Sequence, residues 1–216
     1  MSKSSFHAAC RLAVGVLLLA LVTHTWLVMG LVVPVTVAGS SMAPTLHGSQ
    51  RVFRCDQCQL EFAVDVEPNL GEPIALCPHC GRTSTRSVAD LHGDRLLVDR
   101  MAFTLGVPRR WEVVVFRSPQ NAGQLCVKRL AGLPGETVTI VDGDVLINGA
   151  RAPNPCGVQY VIRYGDTANG REGWRLGPDE YYVLGDNADI SDDSRSWVAG
   201  PGVDAKLLIG RPLGVR

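Results

Sequence analysis

Apolar positions along the chain follow two patterns. Residues 12–33 contain no Asp, Glu, Lys or Arg, and this apolar run has no helical or strand periodicity. Beyond it, apolar residues come in short β-branched runs separated by Gly, Pro, Asn and Asp. Runs at 32–37, Arg95–Asp99, 111–117, 125–130, 136–141, 144–147, 181–184 and 207–209 read as strands. Asp142-Gly143 between two of them predicts a tight hairpin. No stretch after the first run has a convincing amphipathic helical period. The predicted fold is mainly β: an N-terminal helix, then a domain of antiparallel sheets.

The first run is 22 residues long, and about 20 suffice to span a bilayer as a helix. A secretory signal is the competing reading, but its apolar region is shorter and ends in a small-x-small site. Thr36-Val37-Ala38 is a poor match to one. Lys3 and Arg11 precede the run, and the next charge is Arg51. Positive residues stay cytoplasmic, so residues 1–11 are expected inside, 12–33 across the membrane, and the rest outside. The expectation is a single-pass protein of the cytoplasmic membrane. His24, between Thr23 and Thr25, is either a functional group in lipid or a neutral side chain satisfied by nearby backbone. Cys10 borders the span, as a lipidation site or a plain cysteine.

The formal net charge is zero, which gives no electrostatic footprint for nucleic acid. One segment breaks the β rhythm. Leu46-His47-Gly48 recurs as Leu91-His92-Gly93, and excising 49–93 would join Gly48 directly to Asp94. Residues 49–93 are therefore expected to form an inserted module, with 34–48 and 94–216 making one domain around it. Within the insert, Cys55-x2-Cys58 and Cys77-x2-Cys80 have the spacing of a four-thiolate metal site. A small segment with little apolar core needs such a staple. Structural zinc (or iron) fits, since four Cys leave no open position. Outside the cytoplasm the same residues could form disulfides. Cys77-Pro78-His79-Cys80 also resembles a redox motif, but no helix start follows it. Cys126 and Cys156 remain, with pairing left open.

Two residues carry candidate chemistry. Ser41 lies in Gly39-Ser40-Ser41-Met42-Ala43-Pro44-Thr45-Leu46, just outside the predicted span. A serine nucleophile needs a base. His7 and His24 are on the wrong side of the membrane or within it, and His79 sits between cysteines. His47 and His92 leave a Ser-His-Asp arrangement open. Lys128 is the alternative. Strand alternation sets Cys126, Lys128 and Leu130 on one face, where apolar surroundings lower a lysine pKa. An edge lysine reaching water is the structural reading of the same pattern. Cys126, on the same face, is a further candidate nucleophile.

Four stretches together resemble the type I signal peptidases, membrane serine peptidases with a Ser-Lys dyad. They are the Ser41 stretch; Gly93-Asp94-Arg95-Leu96-Leu97-Val98; Lys128-Arg129 with Gly132-Leu133-Pro134-Gly135-Glu136; and Gly185-Asp186-Asn187 with Asp193-Ser194-Arg195. The resemblance implies Ser41 as nucleophile and Lys128 as neutral general base in an acyl-enzyme mechanism without a cofactor. It further implies Ser191 orienting the lysine, Asp193 and Arg195 as a supporting pair, and Met42 lining a cleft. The Ser41 N–H is implied as one oxyanion donor. Some members place a second donor, a hydroxyl, where this chain has Gly39. The closing segment differs as well, with Ser196-Trp197-Val198-Ala199-Gly200. Implied partners are secretory precursors with small residues before the cut, at a membrane lipid surface. Eight extended residues would keep Ser41 within about 28 Å of the span. The alternatives are a non-catalytic anchored binding protein on the same scaffold, and a peptidase of narrower specificity.

Overall fold

A computed structural model describes residues 3–66, 75–84, 86–160, 173–197 and 200–215, with backbone only for 3–6, 8–9 and 26–29. Val198 and Ala199 of the divergent closing segment lie outside these residues.

Helix α1 (Lys3–Leu31) passes directly into strand β1 (Val32–Thr36). The helix therefore ends two residues before the expected limit of the apolar run. Val32 and Val33 pair with Asp99 and Val98 instead. Pro34 explains the switch, because it disfavours helical geometry at Val33, and both valines prefer a pleated strand. Described side chains of α1 such as Leu12, Val14, Leu17 and Leu19 are exposed around the helix. The apolar side chains described without interruption reach only from Leu12 to Thr25. Among the described residues no helix is long and apolar enough to cross a membrane.

The chain then forms β2 (Gln50–Arg54), β3 (Glu61–Asp65), β4 (Ala75–Leu76), β5 (Thr83–Ser84) and β6 (Ser87–Leu91). After these come β7 (Arg95–Asp99), the one-turn α2 (Ala102–Leu105), β8 (Val113–Arg117) and β9 (Leu125–Gly132). β10 (Thr137–Val141), β11 (Asp144–Ile147), β12 (Ala150–Arg151) and β13 (Trp174–Arg175) follow. β14 (Glu180–Leu184), β15 (Gly202–Asp204) and β16 (Leu208–Pro212) close the fold. The hairpin turn at Asp142-Gly143 has positive φ at both residues, 50° and 86°, as the type I′ turn requires.

Seven strands form one sheet in the order β1-β7-β16-β8-β9-β14-β15, and four form another, β12-β11-β10-β13. The pairings are antiparallel. β8 is the centre of the large sheet and buries both faces. Val113 and Val115 pack with Val37, Met42, Leu46, Leu96 and Val98, while Val114 and Phe116 pack with Leu130, Val183 and Trp197. This two-sided burial is why the segment reads as an unbroken apolar run rather than an alternating one. A third cluster joins the two sheets' strands through Val138, Ile140, Val145, Ile147, Tyr182 and Leu184.

Residues 49–93 carry their own pairings: a three-stranded sheet β3-β2-β6 and the small β4-β5 ladder. Their two ends meet. The His47 N–H donates to Asp94 Oδ2 at 2.8 Å, and the Asp94 N–H to the His47 carbonyl at 2.9 Å. Gly48 and Gly93, the repeated glycines, sit where a Cβ would come within 2.5 Å of Gly39 backbone and 2.0 Å of the Val37 carbonyl. The repeat marks close backbone approaches at the stem of this segment.

Candidate active site

The site is built where three chain segments meet around Gly185. The first is the loop carrying Ser41. Its carbonyl accepts the Asn187 N–H at 3.0 Å, and Asn187 Nδ2 donates to the Ser40 carbonyl at 3.2 Å. The second is β9, which pairs with β14 through Leu184↔Arg129. Lys128 directly precedes Arg129, and Gly185 directly follows Leu184. The third is the turn carrying Ser191. A Cβ on Gly185 would fall 2.1 Å from Ser191 Oγ and 2.5 Å from the Ser41 carbonyl. Only a residue without a side chain allows these groups to converge.

Lys128 is 4% exposed and makes no ion pair among the described residues. Burial pushes its pKa below the ordinary lysine value, against Asp193, Cys126 and Asp192, and with help from Arg195. Its neighbour Cys126 is pushed up, chiefly by burial, with Lys128 opposing. A raised thiol pKa makes Cys126 a poor nucleophile. Ser191 Oγ is buried and has no hydrogen-bond partner among the described residues. An unsatisfied buried hydroxyl costs about 1–3 kcal/mol.

Asp193 and Arg195 form a buried bidentate pair, with Nε–Oδ1 at 2.9 Å and an Nη2–Oδ2 contact at 3.0 Å. Asp193 also accepts the Gly185 N–H at 2.9 Å. Arg195 donates to the Ala188 carbonyl and lies 5.4 Å over the Tyr160 ring. The pair therefore anchors the Gly185 turn directly. Met42 is 1% exposed and belongs to the Val98–Val115 cluster. It is a core side chain that tethers the loop, in place of the cleft-lining position expected for it. A cleft of about 430 Å³ opens beside the loop, lined by Ala43, Pro44, Val158, Gln159, Asn187 and Ala188, among others. The Ser41 N–H has no acceptor among the described residues. At Gly39 a Cβ would meet nothing within 4 Å, so the position has room for a hydroxyl side chain that this chain lacks.

Sequence reasoning missed a second buried pair. Arg129 donates to both oxygens of Asp186, at 2.8 and 2.7 Å, and to the Trp111 carbonyl. Asp186 also accepts from Thr45 Oγ1 at 2.6 Å. This ties the end of the Ser41 loop to β9 beside Lys128. His47 and His92 are exposed at the insert's stem, and His47 lies beside Asp94.

The four Cys of the insert converge. Their sulfurs lie within 4.8 Å of one another, with Cys55–Cys80 and Cys58–Cys77 each at 3.5 Å. Tetrahedral zinc at about 2.3 Å from each thiolate spaces the sulfurs by about 3.8 Å, so the cluster suits such an ion. The Cys58 backbone N–H is the largest influence on Cys55, whose thiol pKa is lowered to about 6. Burial, the largest influence on Cys77, pushes that thiol up, yet the Cys80 and His79 N–H groups and neighbouring thiols bring it below its ordinary value. Cys58 and Cys80 are pushed up instead: the Leu60 and Arg82 backbone N–H groups lower them, but burial and neighbouring thiols outweigh these, and Cys58 reaches about 12.

Residues 74–213 match the family described as "Signal peptidase, peptidase S26". The chain belongs to the signal peptidase S26 family. Signal peptidase I of Leptolyngbya laminosa is 35% identical over 125 residues, covering 55% of this chain and 57% of that one. Signal peptidase I of Pseudomonas fluorescens is 32% identical over 143 residues, covering 54% and 49%. The chain thus spans about half the length of the curated relatives it matches. A signal peptidase I crystal structure from Enterococcus faecalis is 31% identical, with a TM-score of 0.41, covering 49% of this chain and 97% of that one.

Proposed function

We propose that this chain is a membrane-anchored serine endopeptidase that removes signal peptides from secretory precursors, with Ser41 as nucleophile and Lys128 as general base. The observation that carries the proposal is the junction at Gly185. The Ser41 carbonyl and Ser191 Oγ crowd its Cβ position, and Lys128 adjoins Arg129, the ladder partner of Leu184, with its charged form disfavoured by burial. Neutral Lys128 takes the Ser41 Oγ proton as Oγ bonds to the scissile carbonyl carbon. The Ser41 N–H stabilises the oxyanion. The scissile C–N bond then breaks, and the lysine ammonium returns its proton to the leaving amine. Water, deprotonated by the same lysine, hydrolyses the ester and frees Ser41. Ser191 orients Lys128, and Asp193 with Arg195 holds the Gly185 turn that all three groups share. Small residues before the cut are accepted because larger ones would overfill pockets against a packed loop.

The proposal places the anchor in α1, residues 12–31, with the N-terminus cytoplasmic and the catalytic domain, 34–48 and 94–216, on the other face. Exposed apolar side chains around the helix support it. Thr23 and Thr25 hydroxyls donate to carbonyls of their own helix at 2.7–3.0 Å, which is how such groups are satisfied in lipid. Residues 49–93 form the inserted module, with structural zinc held by Cys55, Cys58, Cys77 and Cys80 and no part in bond breaking.

The test is cleavage of a precursor ending in Ala-x-Ala by the full chain in lipid vesicles. Ser41→Ala and Lys128→Ala are each expected to abolish it, and full activity in either removes the dyad. Binding of the precursor without turnover by the wild-type chain would favour the non-catalytic alternative. Elemental analysis is expected to give about one metal per chain, lost in Cys77→Ser. A metal-free chain with oxidised cysteines refutes the zinc site.

A further inference from the structure

The insert reaches the nucleophile loop through Asp65 and Gln50. Asp65, the last residue of β3, accepts the Ser40 N–H at 3.2 Å on Oδ2 and the Ser40 hydroxyl at 2.5 Å on Oδ1. Gln50, the first residue of β2 and the cross-strand partner of Asp65, donates from Nε2 to both Ser40 Oγ (3.0 Å) and Asp65 Oδ1 (3.1 Å). Ser40 is buried and directly precedes Ser41. Among the described residues of the catalytic domain, Ser40 is held through its carbonyl, by Asn187 Nδ2 and the Ala43 N–H. The insert therefore supplies the contacts to the Ser40 N–H and hydroxyl.

The same hairpin carries the cysteine cluster at its other end. β2 and β3 pair over five residues, Gln50↔Asp65 to Arg54↔Glu61. Cys55 and Cys58 lie in the turn that joins them, closed by the Cys55 N–H to the Leu60 carbonyl and the Gln59 N–H to the Cys55 carbonyl. Phe53 and Phe62 stack between the two ends, 6.2 Å apart. A two-stranded ribbon with one end cross-linked cannot slip its register, and register decides which residue ends the strand. A one-residue slip would turn the Asp65 side chain to the opposite face.

We propose that Asp65 is a positioning residue for the peptidase reaction, which with Gln50 fixes Ser40 and so the Ser41 backbone, and that metal at the cysteine cluster maintains this grip by pinning the hairpin. The proposal rests on the peptidase and metal readings above. Displacing a reacting group by about 1 Å can cost about 100-fold in rate, so a grip on the adjacent peptide bears on kcat more than on substrate affinity.

The experiment uses the full chain in vesicles and has two readouts, precursor cleavage and hydrogen–deuterium exchange of the 39–46 segment. Asp65→Asn is expected to lower kcat about tenfold or more with KM within about twofold, and to speed exchange at Ser40, while the metal stays bound. Glu61→Gln, on the same hairpin but away from Ser40, leaves both readouts unchanged. Ser40→Ala combined with Asp65→Asn is no slower than the slower single variant, because the two act through one contact. Stripping the metal from the wild-type chain with a chelator speeds 39–46 exchange, and does so far less in Asp65→Asn. Unchanged exchange and kcat in Asp65→Asn, or multiplicative losses in the double variant, overturn the grip. A chain that cleaves nothing yet keeps the exchange response loses the peptidase reading and retains the grip. Cleavage with no exchange response does the reverse.

Discussion

A carboxylate placed beside Lys128 should move the acid limb of the activity profile upward. Cys126 is the site for it. Cys126 and Lys128 sit two residues apart on one face of β9, which is about 7 Å along a strand. They already influence each other electrostatically. With an effective dielectric of about 20, a unit charge at about 7 Å stabilises the ammonium by about 2.4 kcal/mol. At about 1.36 kcal/mol per unit, Cys126→Asp raises the Lys128 pKa by about 1.7 units. The sign follows from the mechanism. In the proposed mechanism Lys128 is the neutral base, so activity is lost as pH falls through its pKa, which burial sets below the ordinary lysine value. Raising it shifts the loss to higher pH. The assay is kcat/KM for a precursor across pH, in the wild-type chain, Cys126→Asp and Cys126→Ser. Below the acid limb Cys126→Asp should be about 50-fold slower than wild type, and well above it the two should converge. Cys126→Ser adds no charge and should leave the limb in place. A loss in Cys126→Asp that is uniform with pH, or a limb that does not move, would refute Lys128 as the titrating base.

Two more outcomes follow from close contacts at the junction. Asp186→Ala strands the Arg129 guanidinium, which is 1% exposed in its side chain, and frees Thr45. The expected loss is about 3–5 kcal/mol in urea unfolding, and a change under about 1 kcal/mol would mean that Arg129 finds water. Gly185→Ala pushes a methyl into the Ser191 hydroxyl and the Ser41 carbonyl. Precursor cleavage should fall about 100-fold or more with the cysteine metal retained, and wild-type turnover would show that the convergence at Gly185 is unimportant.

Much of the scaffold is visible in local patterning because its strands are short and their turns are explicit. β7 and β11 match the expected segments at both ends, since Gly93-Asp94 and Asp142-Gly143 punctuate them. The helix end at Leu31 is less visible. Hydropathy does not distinguish a valine in lipid from a valine in a strand, and only Pro34 hints at the change. Two-residue strands such as β12 and β13 carry too few positions for any period to register. Ser41 and Lys128 stand out locally as candidates, a hydroxyl in a turn and a charge in an apolar strand.

Arg129 and Asp65 are legible only in three dimensions. Val-Lys-Arg-Leu places two cations side by side, and alternation sends them to opposite faces of β9. Both are nevertheless buried. One has a carboxylate 57 residues away to neutralise it, whereas the other makes no ion pair among the described residues. The chain thus buries two adjacent cations on opposite terms. Asp186 accepts from Arg129 on both oxygens and from Thr45, and Asp193 is committed to Arg195 and the Gly185 N–H. These two acids are therefore already satisfied by arginines, and Lys128 stays under desolvation with no ion pair among the described residues. Arginine cannot lose its proton in a protein and lysine can. Assigning the fixed cations to the acids and leaving the titratable one under desolvation is what the proposed mechanism needs of its base.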